Sequence, residues 1–122
     1  MSDNTSASAK LQALRKDYSA RLPEKGRSIL TMWQSLEQNW SESGVAELQR
    51  MCHSLAGSGS TYGYSEITRK ARDAENKLSA LATKEQKPDN EKRVQITQTI
   101  NKLRQACIDH ATSGVNSNKQ SG

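Results

Sequence analysis

Phenylalanine is missing from this chain, and aromatic residues make up only 4% of its 122 positions. A core must therefore come from Leu, Ile, Ala and Met with a few Tyr and Trp, a thin supply that favours helices. Hydrophobic residues amount to 33% of the chain, and no apolar stretch approaches the roughly 20 residues needed to cross a bilayer. The opening Met1-Ser-Asp-Asn lacks the basic-then-apolar layout of a secretion signal, so the expected location is the cytoplasm. Cysteine is scarce: Cys52 and Cys107 stand far apart with no Cys-x-x-Cys spacing, which argues against a disulfide framework or a metal knuckle and for reduced thiols in a core. Pro23 and Pro88 are the only prolines. The length suits one domain and is too short for two.

Dense runs of one charge are also lacking. Lys and Arg number 18 against 13 Asp and Glu, for a net charge of +5, yet the cations are spread from Lys10 to Lys119 with acids between them. The sign alone does not choose among nucleic acid, an anionic membrane and an acidic protein surface. The distribution reads as a solvated, mixed-charge exterior.

What is present is helical periodicity. The polar stretches at residues 1–9 and 112–122 read as disordered tails or linker, leaving a domain over residues 10–111. Leu11, Leu14, Tyr18 and Leu22 recur at steps of three and four, which predicts a short first helix from Lys10 to about Arg21. Pro23 sits just inside the next start, with Ile29, Met32, Trp33 and Leu36 on one face up to about Asn39. After the turn Trp40-Ser-Glu-Ser-Gly44, a stripe of Val45, Leu48, Cys52, Leu55, Ala56 and Gly59 predicts the helix that carries His53. Another is predicted from a Ser65 cap to about Ala82, with Ile67, Ala71, Ala74, Leu78 and Leu81 inward. Lys87-Pro88-Asp89 is a loop, and a last helix from about Asn90 to Ala111 buries Val94, Ile100, Leu103, Cys107 and Ile108. The expected fold is all-α: an antiparallel up-down four-helix bundle with an additional short N-terminal helix.

The segment from His53 to Gly63 departs from ordinary helix composition. Gly57 and Gly59 would each cost roughly 1 kcal/mol relative to Ala inside a helix, so packing or access must offset them. At about 100° per residue, His53 falls roughly a quarter turn from the centre of the apolar stripe, at its border with solvent. Gly57, one turn on, leaves the ground beside the imidazole bare, while Gly59 points inward and lets a neighbouring helix approach.

These residues resemble the signature of histidine phosphotransfer (HPt) domains: a His, then an apolar residue, a Gly four positions on, small residues, and a Gly ten positions on. Leu55, Gly57, Ser58, Gly59 and Gly63 match, and the family's aliphatic-and-Ala helix ending in Glu is matched by Ile67, Ala71, Ala74 and Glu75. The matched span runs from about His53 to Leu78, while the rest of the helical layout from Leu11 to Ile108 would suit many bundles. The resemblance implies a phosphocarrier without a nucleotide site of its own, free-standing or part of a larger hybrid kinase. It implies that His53 takes a phosphoryl group and exchanges it with the aspartate of a response-regulator receiver domain, or receives it from a histidine kinase. It implies no cofactor of its own and a magnesium ion supplied by the receiver; no nucleic acid or membrane partner is expected, and a monomer is the default for a domain that needs its flank exposed. Free imidazole titrates near a pH of roughly 6.5, so near neutrality an exposed histidine has a lone pair to offer phosphorus. Glu75 is the candidate for a hydrogen bond that fixes the tautomer, and Arg50, Ala56, Gly57, Ser60 and Arg72 are candidates for the docking surface. Where many members carry Lys or Arg three residues after the His, this chain has Ala56, and Arg50 and Arg72 are the candidate replacements.

Other chemistries fit less well. The glycines do not spell Gly-x-Gly-x-x-Gly and no strand precedes them, which argues against a nucleotide site. A hydrolase built on His53 with Ser58 or Ser60 lacks an elbow motif, and His53, His110 and two scattered thiols are too few for a metal site. The remaining alternative is a helical interaction module, or a basic nucleic-acid binder whose Tyr62 and Tyr64 stack on bases. A structural reading of the same tyrosines has them cap the core.

Overall fold

A computed structural model of the chain describes the backbone of residues 2–81 and 87–121 and the side chains of residues 7–81 and 87–111. Four helices follow one another: α1 (Ser2–Gln38), α2 (Glu42–Thr61), α3 (Ser65–Ser79) and α4 (Asn90–Ser121). Each packs on its sequence neighbour and α1 closes the ring against α4, while the backbones of the diagonal pairs stay apart among the described residues. The short connections after α1 and α2 make those neighbours antiparallel, so the all-α bundle has the expected up-down course.

The separate short N-terminal helix does not exist, because α1 runs continuously through Pro23. An internal proline removes one backbone hydrogen bond and clashes with the preceding turn, at a cost of about 3 kcal/mol. Tyr18 and Leu22 before it, and Ile29, Trp33 and Leu36 after it, are all buried on one face. At about 1.5–3 kcal/mol for each large side chain, that shared burial outweighs the break and holds both segments on one axis. Helical backbone also extends over Ser2–Ala9 and Thr112–Ser121, where disordered tails were expected. Adding residues to an existing helix gains one hydrogen bond for each residue fixed, so a packed nucleus can propagate outward. The buried core itself begins at Tyr18 and ends at Cys107.

The ends of α2 follow local chemistry. The Ser41 hydroxyl accepts from the Gly44 N–H at 3.0 Å, capping the N-terminus. At the C-terminus, Gly63 takes φ +83°, the Tyr64 N–H donates to the Gly59 carbonyl at 2.7 Å, and the Gly63 N–H donates to the Ser60 carbonyl at 3.2 Å. This is a Schellman closure, and its left-handed residue is the reason for a glycine there. The expected Ser65 cap on α3 is not made: Tyr64 occupies the cap position, with no side-chain hydrogen bond. The helix ends at Ser79, ahead of Ala82, which lies outside the described residues.

Three expected core positions are exposed. Leu11 and Leu14 are more than half exposed because α1 has already run past the α2–α3 turn, where Arg15 Nε donates to the Tyr62 carbonyl and Tyr62 stacks on Tyr18. Val94 is exposed because the buried stripe of α4 is centred on Ile96, Ile100, Leu103 and Cys107, with Thr99 and Ala106 beside it. Met32 and Ile108 are half-buried. Trp33 is fully buried, with its indole N–H donating to Thr97 Oγ1 at 2.8 Å. Cys52 and Cys107 are free and buried, as the sequence indicated.

The seam between α2 and α3 is set by Gly59. A Cβ there would lie 2.7 Å from Thr68 Oγ1 and 3.3 Å from Ile67 Cγ2, whereas one on Gly57 would meet nothing within 4 Å. Thr68, almost fully buried, donates from Oγ1 to the Ala56 carbonyl at 2.9 Å, so it cannot turn away without leaving a buried polar atom unpaired. Gly57→Ala should therefore stabilise the fold by about 0.5–1 kcal/mol through helix propensity. Gly59→Ala should destabilise it by about 1–3 kcal/mol through overpacking. Urea denaturation of both variants checks the opposite signs.

Candidate functional site

The close α2–α3 seam brings the His53 and Glu75 side chains together. Their Nδ1 and Oε2 atoms are 2.7 Å apart. The His53 side chain is 75% exposed and that of Glu75 only 21%, so the carboxylate is the fixed member and the ring stands at the rim. When the imidazole is neutral, an Nδ1–H that donates to Glu75 leaves the lone pair on Nε2, which is the nitrogen facing away from the bond. The ring is thus neither walled in nor directed into the core.

The ground beside it is open. Gly57 is exposed and has free space where a Cβ would stand, and Ser60, the next turn on, is also exposed. Ser58 faces inward: its hydroxyl donates to the Leu55 carbonyl at 3.2 Å, which leaves it to accept from the Tyr18 hydroxyl at 2.7 Å. Burial of that phenol raises its pKa. Ser58 is therefore a packing residue and takes no part in a hydrolytic pair with His53.

Of the docking candidates, Ala56 is misplaced. It is only 3% exposed and belongs to the core, so its side chain cannot meet a partner. Its position falls on the seam side of α2, under Thr68. Arg50 is exposed but ion-paired with Glu47 on its own helix. Arg72 is exposed on α3, one turn before Glu75, with no ion pair or hydrogen bond among the described residues. It lines an open groove with Ser60, Gly63, Thr68, Arg69 and Lys102.

Cys52, adjacent to His53 in sequence, offers no competing nucleophile. Burial pushes its thiol up to about 12, and the nearby Glu75 carboxylate adds to the shift. His110 lies elsewhere, hydrogen-bonded through Nε2 to Glu66 Oε1 at 2.8 Å with its ring edge-on to Tyr64. That bond is the main reason the Glu66 carboxyl sits below its ordinary value. Among the described residues, no group of three or more His, Cys, Asp or Glu side chains could hold a metal ion. Nor is any helix there long and apolar enough to cross a membrane. Tyr62 and Tyr64 pack against Tyr18, with ring centroids at 4.6 Å and 5.6 Å, and so cap the core.

Sequence reading missed Thr68, whose hydroxyl stitches the seam, and the Glu66–His110 pair. A threonine beside Ile67 at the border of an apolar stripe was the available signal for the first. The second joins residues 44 positions apart and left no local trace.

No curated protein and no solved structure matches the chain. The family model for the Hpt domain matches residues 27–106, more than half of the chain. That span contains α2, α3, His53 and Glu75, and Hpt domains are phosphocarrier modules rather than enzymes. The chain belongs to the Hpt domain family, the histidine phosphotransfer modules of two-component phosphorelays.

Proposed function

We propose that His53 is the phosphoryl carrier of this module, that it exchanges the group with the aspartate of a response-regulator receiver domain, and that the chain works as a monomer. A histidine kinase is the other donor that fits. The observation that carries this reading is the pairing of Nδ1 with a largely buried carboxylate on a ring that is otherwise open to solvent.

The chemistry follows from that geometry. Nε2 attacks phosphorus in line with the bond to the aspartyl oxygen; the P–O bond breaks as the P–N bond forms, and the aspartate leaves as a carboxylate. The ring becomes positively charged when its lone pair is used, and the Glu75 carboxylate on Nδ1–H offsets that charge without a proton having to move. In the reverse direction, the same charged ring is a good leaving group. The magnesium ion that helps neutralise the phosphoryl oxygens belongs, in this reading, to the acidic pocket of the receiver.

Glycine at position 57 gives the receiver its approach. With nothing within 4 Å of where a Cβ would stand, a partner backbone can close on the flank of the ring. Ser60, Arg50 and Arg72 border that ground as exposed polar contacts. The receiver's own acidic pocket suits the net positive charge of this chain.

Incubation with a phosphorylated receiver should yield acid-labile, alkali-stable label on the wild-type chain and none on His53→Gln. Label that persists in a folded His53→Gln variant would overturn the assignment. Gly57→Arg should keep the fold yet lower the rate of exchange with the receiver at least tenfold, while labelling by a small phosphodonor proceeds. Normal exchange by that variant would remove Gly57 from the docking ground. Glu75→Gln keeps the shape but loses the charge-assisted bond, worth about 1.5 kcal/mol, so labelling should slow about tenfold. An unchanged labelling rate would show that the carboxylate does not assist the ring.

A further inference from the structure

A phosphoryl group on His53 brings negative charge to a rim of α2 that offers little to meet it. Ala56 and Gly57 carry no charge, and Arg50 is engaged by Glu47. On the α3 side of the ring, the register between the two helices shows which cation can meet that charge. Gly59 lies against Thr68 and His53 against Glu75, so each step up α2 is matched by a step down α3. Arg72, one turn before Glu75, therefore stands across the seam from Ala56, one turn after His53.

One helical turn is about 5.4 Å along the axis, a span that an extended arginine side chain can cover. Nothing on the near side obstructs it: Ala56 is buried and the space beside Gly57 is open. Around the axis of α3, Glu75 and Thr68 both face α2, and Arg72 follows them on the outer flank of the same side. It lines a groove with Ser60, which lies two turns after His53 on the same exposed face of α2. Its guanidinium has no ion pair or hydrogen bond to give up among the described residues, unlike Lys77, whose ammonium is held by Asp73 at 3.0 Å.

We propose that Arg72 is the phosphoryl-binding residue of this chain, reaching across the α2–α3 seam to hold the oxygens of the group carried on His53 Nε2. The inference rests on the carrier role proposed for His53 and adds a distinct residue to it. A planar guanidinium can take two phosphoryl oxygens at once, which both orients the group for in-line departure and meets its charge. Glu75 would act on the ring and Arg72 on the phosphoryl oxygens, from adjacent turns of one helix.

The test uses potassium phosphoramidate, so that no partner protein is needed. In that reaction the P–N bond of the donor breaks as the Nε2–P bond forms, and ammonia departs with the electron pair. Labelling rate and the hydrolytic lifetime of the phosphohistidine are measured for wild type, Arg72→Gln, Arg72→Lys and Lys102→Gln, with circular dichroism to verify the fold. Loss of one charge-assisted contact predicts about a tenfold slower labelling for Arg72→Gln. A smaller loss is expected for Arg72→Lys, which keeps the charge but not the fork, and Lys102→Gln should match wild type. Equal slowing by Arg72→Gln and Lys102→Gln would reduce the effect to net charge and overturn the proposal. So would a folded Arg72→Gln with wild-type rate and lifetime, although the carrier role of His53 would then stand. A wild-type chain that takes no label at His53 from either phosphoramidate or a receiver would end both readings together.

Discussion

The rest of the site depends on how closely α2 and α3 approach. Gly59 has no side chain, Thr68 fills the space a Cβ would take, and the Thr68 hydroxyl is held by the Ala56 carbonyl. This contact sets both the spacing and the register of the two helices. Six residues before Gly59, that register brings a carboxylate to 2.7 Å from the imidazole. A methyl group at position 59 would have to displace a β-branched side chain already committed to a buried hydrogen bond. Any shift would be passed to the His53–Glu75 pair, because packed helices move as stiff bodies.

The carrier role proposed for His53 sets two conflicting needs, and α2 meets them with neighbouring residues. The nucleophile must be held, which calls for contacts, and it must be reached by a protein as large as itself, which calls for their absence. Glu75 supplies the holding from below, largely shielded from water, and the ring remains three-quarters exposed. Gly57 supplies the absence. Burial separates the roles of adjacent residues: Cys52 lies in the core with its thiol pushed up to about 12, while His53 stands outside. One residue step around a helix, about 100°, is enough to divide a buried thiol from an exposed ring.

The remainder of the bundle serves as a brace. α1 passes through Pro23 without ending because both halves bury large side chains on the same face. Its upper part stacks Tyr18 on Tyr62 and links the Tyr18 hydroxyl to Ser58 on α2, so the end of the helix that carries the histidine is pinned from the side opposite to α3. Gly63 then turns the chain back within a few residues, which keeps α3 in register from its first turn.

The sequence by itself determined the helical class, the placement of α2 and its stripe, and the different uses of Gly57 and Gly59, because each is written in local spacing along one helix. Its resemblance to the Hpt family, carried by the glycine pattern after His53 and the alanine-rich face that ends in Glu75, also pointed to those two residues. Only the tertiary structure decided that Pro23 lies within a single long helix, that Leu11, Leu14 and Val94 remain exposed, and that Ala56 belongs to the core. The same holds for Arg72 lying across the seam from Ala56 and for Glu66 meeting His110. Those outcomes depend on where a neighbouring helix ends and on the register between helices, and both are fixed by contacts between residues far apart in the chain, which no local periodicity encodes.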